Sequence, residues 1–179
     1  MTSGEDAVDA IKEQWLTLRP GLDLGALELA GRVLRAAAFI VKETGADLAD
    51  LGLSRGEFDV LAALRRADAP QSPGSLRTVT LVSAAAITKR VAALHRAGLV
   101  ERSPNPADGR GVLISLTADG VRVIDEAFPR VIGIERRMLG GLSRAQYARA
   151  LTSMRHVLAS VEFGAGLRSE RRGRASGGG

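Results

Sequence analysis

The chain has 179 residues, of which 45% are apolar and only 3% aromatic, with no cysteine, two histidines and a net charge of +5. This composition predicts one compact domain with extended arms and a core of Ala, Leu and Val, which favours helix over sheet. It excludes disulfides, thiolate zinc sites and thiol redox sensing, and because His95 and His156 lack clustered partners we expect no metal and no cofactor. No apolar run reaches the ~20 residues of a membrane span and the acidic N-terminus is unlike a signal peptide, so we expect a cytoplasmic protein.

Charge is distributed unevenly along the chain. Residues 1–53 carry five cations and nine anions, whereas residues 54–118 carry nine cations and five anions. Residues 119–163 and 164–179 are both basic, and the last segment supplies a net charge of +3. An acidic N-terminal arm beside a basic middle segment is typical of a protein whose central part binds nucleic acid.

The N-terminal segment is predicted to form two helices. A helix over residues 6–18 places four apolar residues on one stripe: Val8, Ile11, Trp15 and Leu18. We expect Trp15, the only tryptophan, to dock this helix on the body of the protein, because buried aromatic area dominates such contacts. A second helix over about 24–44 is closed by Gly45, and residues 48–53 connect it to the next element.

Two shorter helices come next. Ser54 and Glu57 match a capping box that opens a helix over 55–66. Asp59 lies on the face of this helix opposite its apolar residues, where a solvated surface carboxylate is the ordinary interpretation. A serine followed by a proline then starts a short helix over 73–80, the first half of a helix-turn-helix.

The second half of that helix-turn-helix is a short cationic helix. Ser83 is a good N-cap and Gly98 fits a left-handed C-terminal cap. The face opposite its apolar stripe carries small side chains and cations but no carboxylate: Ala85, Lys89, Ala92 and Arg96. Such a face can approach a phosphate-lined groove without steric or charge penalty. An ordinary amphipathic surface helix would show the same pattern, so both interpretations stand on this helix alone.

A short β-hairpin follows. Residues 100–103 are expected to pair with an alternating strand over 112–116, across a turn over 104–110 that is rich in Pro, Asn, Asp and Gly. Arg110 leaves the turn as a lone cation near its tip. A helix-turn-helix with a two-stranded wing places its second helix in the major groove of DNA and its wing at the minor groove or backbone. The sequence therefore predicts a unit that binds DNA.

Two further helices complete the pattern. One covers 119–139, with Pro129 expected to kink or break it, and a serine–glutamine capping box starts the other, over 144–163. We expect residues 164–179 to be a disordered tail. The terminal helices show more apolar surface than one DNA-reading module can cover, so we expect a homodimer that presents two readers to a palindromic site.

These elements predict a mainly α fold with a small β wing: a winged helix-turn-helix with N- and C-terminal dimerisation helices. We divide the chain into an N-terminal arm with dimerisation helices (1–53), a DNA-binding lobe (54–118), C-terminal dimerisation helices (119–163) and a basic tail (164–179).

Two runs in this chain carry a family resemblance, LSRGEFDVLAALRRA and SAAAITKRVAALHRAGLVERSPNPADGRGVLISLTADG. Together they resemble the MarR family of dimeric winged-helix repressors over about residues 24–162. The wing tip Asp108-Gly-Arg110 and the exit Leu116-Thr117-x-x-Gly120 are typical of that family. The resemblance implies that Arg110 enters the minor groove and that Asp108 orients it. We expect six residues to contact double-stranded promoter DNA: Ser83, Ala85, Thr88, Lys89, Asp108 and Arg110.

A narrower resemblance concerns ligand response. The run QWLTLRPGLDL near the N-terminus, together with EFDVLAALRR, is similar to the urate-responsive PecS-type branch, which adds an N-terminal helix to the MarR core. That branch uses a Trp, an Asp and two Arg, and the matching positions here are Trp15, Asp59, Arg90 and Arg102. The resemblance implies a repressor that a urate-like purine releases from operator DNA. Asp59 would then repel the ligand's negative charge or lose a pairing with Arg90.

The helical wheel adds an independent observation on Arg90. This residue flanks the buried arc of its helix and does not lie on the face of Lys89, so its side chain is placed to meet a partner behind the helix. A structural salt bridge is the alternative interpretation, and the sequence leaves both open.

The sequence also allows two other functions. The protein could be a MarR-type regulator that responds to a phenolic or other small aromatic acid, or an architectural DNA-binding protein with no ligand. We do not expect an enzyme, because the sequence has no nucleophile–base pair, no phosphate-cradling glycine-rich loop and no cluster of metal ligands.

Overall fold

The computed structural model describes residues 4–106 and 108–176, and the side chains of this part except those of 108–110 and 166–176. The described chain forms seven helices and two strands: α1 (Ala7–Leu18), α2 (Gly25–Ala49), α3 (Arg55–Ala67), α4 (Pro73–Thr80), α5 (Ala84–Arg96), β1 (Val100–Asn105), β2 (Asp108–Leu116), α6 (Ala118–Leu139) and α7 (Arg144–Ser176). The predicted mainly α fold with a small β wing is confirmed. Among these helices, none combines the length and the apolar character needed to cross a membrane.

α1 is held on α2 at its N-terminal end. Val8 is buried, and a Cβ atom on Gly31 would lie 3.0 Å from its Cγ1, so this glycine lets the two helices approach closely. Beside this contact, Arg32 donates to Asp6 Oδ2 at 2.8 Å and to Asp9 Oδ1 at 2.6 Å. The backbone N–H of Asp6 and the Arg32 guanidinium both donate to the Asp9 carboxylate and hold its pKa below the ordinary value.

Trp15 is not the anchor that the sequence led us to expect. Along the apolar stripe of α1 the exposed fraction rises from 2% at Val8 to 48% at Trp15 and 71% at Leu18. The ion pairs and the close helix contact all lie near the start of α1, and the Trp15 ring stays half exposed.

The end of α2 also differs from the prediction. The helix runs through Gly45 and continues to Ala49, whereas we expected Gly45 to close it. A glycine ends a helix when it takes up a left-handed conformation, and here the residue with that conformation is Gly52, with φ of 69°. Thr44 and Leu48 are fully buried, so tertiary contact extends the helix by more than one turn.

α3 is the central helix of the segment 54–118, called the lobe below. It begins with the predicted capping box, in which Ser54 Oγ accepts from the N–H of Glu57 at 3.3 Å and Glu57 Oε2 accepts from the N–H of Ser54 at 2.8 Å. Six of its residues are buried: Phe58, Val60, Leu61, Ala62, Ala63 and Leu64. α2, α4, α5 and β2 all pack against it.

α4 and α5 form the predicted helix-turn-helix. Ser72 and Ser83 cap them, accepting backbone N–H groups at 3.1 and 3.2 Å. The turn passes through Leu81, which is 83% exposed and has a φ of 54°, a strained conformation for a leucine. At the other end of α5, Gly98 takes the left-handed conformation with a φ of 73°, as its position predicted.

The wing is a two-stranded antiparallel sheet with longer strands than predicted. Val100 pairs with Leu116 and Pro104 pairs with Val112, and the register shifts after Pro104. The expected seven-residue turn is therefore much shorter, because a proline is tolerated in an edge strand and every strand of this sheet is an edge. Gln71, in the loop before α4, exchanges two backbone hydrogen bonds with Ile114 and ties β2 to the rest of the lobe.

A close contact joins the end of α5 to the start of α6. Thr117 Oγ1 accepts from the N–H of Gly120 at 3.0 Å and donates to the carbonyl of Gly98 at 2.7 Å. A Cβ atom on Gly120 would collide with the carbonyl oxygen of Leu99. The Leu-Thr-x-x-Gly exit noted in the sequence is thus a structural junction.

α6 shows no break at Pro129 and runs to Leu139. Ala127 and Val131, on either side of the proline, are buried, so contact with the core outweighs the single hydrogen bond that proline removes.

α7 belongs to a second unit of the chain, residues 137–179. Its predicted capping box is present: Ser143 Oγ accepts from the N–H of Gln146 at 3.3 Å and Gln146 Oε1 from the N–H of Ser143 at 2.8 Å. The helix continues to Ser176 and includes much of the tail that we expected to be disordered from residue 164. Between its glycines that tail carries four arginines, two alanines, a leucine and a glutamate, all of them good helix formers.

Candidate nucleic-acid interface and effector site

The outer face of α5 has the properties that the sequence predicted for a DNA-reading helix. Ile87, Val91 and Leu94 are buried against the lobe, and the opposite side is solvent-exposed at four of the predicted contact positions: Ser83, Ala85, Thr88 and Lys89. Thr88 Oγ1 donates to the carbonyl of Ala84 at 3.0 Å. Among the described side chains no carboxylate lies within 4 Å of Lys89. This face is therefore cationic and sterically open.

At the two predicted contact positions of the wing, the structure describes only the backbone. Asp108 and Arg110 lie in β2, and Asp108 pairs with Asn105 across the tip. Their side chains fall outside the described ones, so the roles assigned to them in DNA binding stay predictions.

Arg90 points away from the DNA-reading face, as the helical wheel predicted. Its guanidinium lies on the first turn of α3, where a Cβ atom on Gly56 would be 2.5 Å from Cζ and 2.7 Å from Nη2. No carboxylate of the described residues forms an ion pair with it, and its Nη1 is buried without a hydrogen-bond partner. A buried N–H without an acceptor carries a desolvation penalty, about 1–3 kcal/mol and more for a charged group. The described residues thus do not supply the salt bridge that was the alternative interpretation.

Asp59 pairs with Arg55 and not with Arg90. Its Oδ1 lies 3.1 Å from Arg55 Nε, one helical turn earlier on α3. The same guanidinium donates to Thr44 Oγ1 on α2 at 2.8 Å and lies 3.7 Å from a carboxylate oxygen of Glu135 on α6. Arg55 therefore connects three helices, and the part of our hypothesis that paired Asp59 with Arg90 is not met in this structure.

Asp59 also lines a cavity between α3, α4 and α6. This α3–α6 cavity has a volume of about 370 Å³ and combines charged groups with apolar ones: Arg55, Asp59, Arg66, Phe58, Phe128 and Glu135. The rings of Phe58 and Phe128 stack in parallel with their centroids 6.3 Å apart. A planar anion would meet aromatic surface and two guanidinium groups here, together with the carboxylates of Asp59 and Glu135.

Arg102 lies at a different cavity, beneath the wing. This wing cavity, of about 190 Å³, is enclosed by α5, the start of α4 and both strands: Pro73, Ile87, Thr88, Val91, Arg102, Val112 and Ile114. Trp15 lines neither cavity. Of the four predicted effector residues, two come near each other: the Arg90 guanidinium lies against Gly56 of α3, and Asp59 is three residues further along that helix. Arg102 and Trp15 lie elsewhere.

Sequence reasoning missed two residues of this region, Arg55 and Gly56. Arg55 stands four residues before Asp59, a spacing at which opposite charges on a helix pair, so its contact could have been anticipated. Gly56 stands in the first turn of a helix, where a glycine costs stability and often marks a close approach.

Comparison with known proteins agrees with this geometry. Residues 51–111 match the family model described as MarR family. The chain is 31% identical over 157 residues to the HTH-type transcriptional regulator PecS of Dickeya dadantii, a match that covers 87% of this chain and 92% of that protein.

Two solved structures show the same architecture. A mutant of Escherichia coli MarR complexed with operator DNA is 27% identical, with a TM-score of 0.66, over 80% of this chain and 97% of that one. A structure of Bordetella bronchiseptica BpsR, whose DNA binding is regulated by 6-hydroxynicotinic acid, is 28% identical, with a TM-score of 0.61, over 72% and 98%. These matches are all to transcriptional regulators and not to enzymes. The chain belongs to the MarR family of winged-helix, DNA-binding transcriptional regulators, and its match to PecS along most of its length supports the PecS-type branch.

Proposed function

We propose that this protein is a homodimeric repressor that an anionic purine of the urate type releases from operator DNA. The observation that carries the proposal is the position of Arg90. It belongs to the DNA-reading helix, yet its guanidinium lies behind that helix with a buried N–H that lacks an acceptor. An anion bound there would supply the acceptor through a charge-assisted hydrogen bond and would act directly on α5.

The surrounding charges suggest how binding would be transmitted. Asp59 lies one turn along α3 from Gly56, so a bound anion would repel its carboxylate and compete for its partner Arg55. Arg102, between α5 and the wing, would carry a shift of α5 to the hairpin. Trp15 is our proposed stacking residue, and its 48% exposure leaves ring surface accessible. A coupling of ~1–3 kcal/mol between effector and DNA would give ~5–150-fold relief of binding.

Two further parts of the proposal concern DNA and the dimer. Ser83, Ala85, Thr88 and Lys89 would contact the major groove, with the wing residues Asp108 and Arg110 at the minor groove. The alanines at 84–86 make thymine-methyl contacts and DNA shape larger contributors than hydrogen bonds to bases. Half-exposed apolar residues along α7 support a two-fold dimer that presents two such faces to a palindromic operator.

A second candidate effector is a small aromatic acid. The wing cavity favours it, because Thr88 and Arg102 offer polar groups in a small apolar space beside the reading helix. The regulation of the similar BpsR by 6-hydroxynicotinic acid points in the same direction.

Release of the protein from its own upstream DNA, titrated with urate, adenine, benzoate and 6-hydroxynicotinate, separates these candidates. We expect urate to release the DNA, and the release to be lost in a Trp15→Ala, Arg90→Ala double variant. Arg35→Ala is the control, because it removes an exposed arginine of α2 that belongs neither to the DNA-reading helix nor to either cavity. Normal urate release by the double variant would contradict the purine proposal, and release by the acids that Arg102→Ala abolishes would favour the second candidate.

A further inference from the structure

We infer that Gly56 is a positioning residue of the effector site: its missing side chain provides the place on α3 where the Arg90 guanidinium lies, and this contact, called here the Gly56 seat, sets the orientation of the DNA-reading helix. The inference about orientation stands on the contact itself, and its extension to effector response rests on the proposed function.

Space, not backbone freedom, explains the glycine at this position. The positive φ values among the described glycines belong to Gly21, Gly52 and Gly98, so Gly56 has an ordinary helical conformation that alanine would adopt equally well. Alanine would also favour the helix, since glycine in a helix costs about 1 kcal/mol relative to alanine. A Cβ atom at position 56, however, would lie 2.5 Å from Cζ of Arg90 and 2.7 Å from Nη2, distances that side-chain carbons do not adopt.

Attraction does not hold Arg90 on the seat. No described carboxylate is within 4 Å of its guanidinium, and the positive end of the α3 dipole disfavours a cation in this place. Its Nη1 is buried and the rest of the residue is partly exposed, so packing against α3 keeps the side chain in place. A substitution at Gly56 would therefore displace Arg90 without removing a favourable ion pair, because the end of a flexible side chain can move where a backbone cannot.

The Gly56 seat joins α3, which is fixed in the core, to α5, the proposed DNA-reading helix. α3 contributes six buried residues to the core, so its first turn is a rigid support. Arg90 is adjacent in sequence to Lys89, and adjacent residues point about 100° apart around a helix axis. A bound planar anion that takes hydrogen bonds from the guanidinium would pull Arg90 away from Gly56, and a rotation of α5 that follows this pull would turn Lys89 relative to the groove. In this way an effector behind α5 can change its DNA-facing side.

The test uses the full chain and four proteins: native, Gly56→Ala, Arg90→Ala and the double variant. Three quantities are measured for each, namely the Kd for upstream DNA without effector, the urate or benzoate concentration for half release, and the Tm. Gly45→Ala is the control, because it makes the same change inside a helix where the new Cβ would have nothing within 4 Å.

We expect Gly56→Ala to fold and bind DNA but to require about tenfold more effector for half release, as Arg90→Ala does. In the Arg90→Ala background, Gly56→Ala should change the response no further and should raise the Tm, as Gly45→Ala does in the native chain. In the native background the rise should be smaller or reversed. That difference measures the contact between the two residues.

The inference would be wrong if Gly56→Ala changed the Tm equally in the native and Arg90→Ala backgrounds. It would also be wrong if Gly56→Ala responded to effector as the native protein does. If the Tm changes differ as expected while no anion releases DNA from the native protein, the proposed effector function fails and the structural role of Gly56 stands.

Discussion

The glycines of this chain have different structural roles. They differ in their backbone φ and in the space available for a Cβ atom. Gly98 has a φ of 73° and ends α5, so its freedom of backbone conformation is what matters there. Gly120 has a helical conformation, but any Cβ would meet the carbonyl oxygen of Leu99, a backbone atom that cannot move aside. Gly45 has neither constraint. Substitution by alanine should therefore have opposite effects at different sites.

Gly120→Ala should lower the free energy of unfolding by about 1–3 kcal/mol or more, because the junction between α5 and α6 must open to admit a methyl group. Gly45→Ala should raise it by about 0.5–1 kcal/mol through helix propensity alone. Urea denaturation followed by circular dichroism measures both. Equal changes in the free energy of unfolding at the two positions would show that a methyl group at position 120 fits between α6 and Leu99 without cost.

Lys89 tests the DNA interface. Because its ammonium group is exposed and no described carboxylate neutralises it, Lys89→Ala should weaken binding to upstream DNA. If Lys89 contacts a phosphate, the slope of log K against log salt should also fall by about 0.9. Arg110→Ala should act in the same direction from the wing. Lys42→Ala, an exposed lysine on α2, is the control that should change neither quantity. Unchanged affinity in Lys89→Ala would remove the outer face of α5 from the interface.

At the scale of elements, α1 is attached to the rest of the chain by charges as much as by apolar contact. Asp6 and Asp9 share Arg32, and Lys12 lies 2.5 Å from Glu28, so two carboxylates and a lysine of α1 meet opposite charges on α2. The hydrogen bonds that lower the pKa of Asp9 exist only while the helix is docked and its N-cap is formed. Docking should consequently depend on pH.

The direction of that dependence follows from linkage. The folded-state pKa of Asp9 lies below its ordinary value of 3.8, so the contribution to docking is complete at neutral pH and is lost as the pH falls through the lowered pKa. Arg32→Gln should weaken docking at neutral pH and move its loss to higher pH, since it takes away one cause of the lowered pKa. Trp15, the only tryptophan, is on α1 and reports the event by fluorescence.

Two controls make this measurement specific. Arg35→Gln removes an arginine that lies over the ring of Phe39 and outside the network, so its fluorescence transition should match that of the native chain. Circular dichroism separates undocking from unfolding, because the Asp125 carboxylate, whose pKa is lowered by hydrogen bonds from Arg65, makes the lobe itself sensitive to acid. If Arg32→Gln and Arg35→Gln titrate alike, the network does not hold α1.

At the scale of the whole molecule, exposed apolar surface on α7 supports the proposed dimer. Five residues at helical spacing on α7 are 42–60% exposed: Tyr147, Leu151, Met154, Leu158 and Val161. A stripe of this length is unusual on a surface that faces only water. The proposed two-fold dimer, built through such helices, would present two copies of α5 to one operator.

Leu158→Glu should therefore reduce the dimer and weaken operator binding, because a monomer contacts one half-site. The side chain is 55% exposed within the single chain, so the substitution should leave the fold of each chain intact. His156→Glu introduces the same carboxylate on the opposite side of α7 and should have little effect. Sedimentation equilibrium measures the assembly. A native protein that is monomeric at micromolar concentration, or equal effects of the two variants, would exclude α7 from the interface.

The features that the sequence determined by itself are those that depend on residues a few positions apart. The caps at Ser54, Ser83 and Ser143, the left-handed Gly98 and the buried stripe of α5 all rest on contacts within about one turn of helix, so local pattern was sufficient to predict them. The same reasoning placed Arg90 behind the reading helix.

Contacts between segments distant in sequence decided the rest. α2 passes Gly45 and α6 passes Pro129 because buried neighbours hold those turns against the core. Val8, and not Trp15, anchors α1 because Gly31 lies opposite it. The seat of Arg90 on Gly56 joins residues 34 positions apart. Helix propensity and periodicity report each residue's own helix, whereas burial, cavity shape and charge pairing depend on which other segment faces it, and only the folded chain determines that.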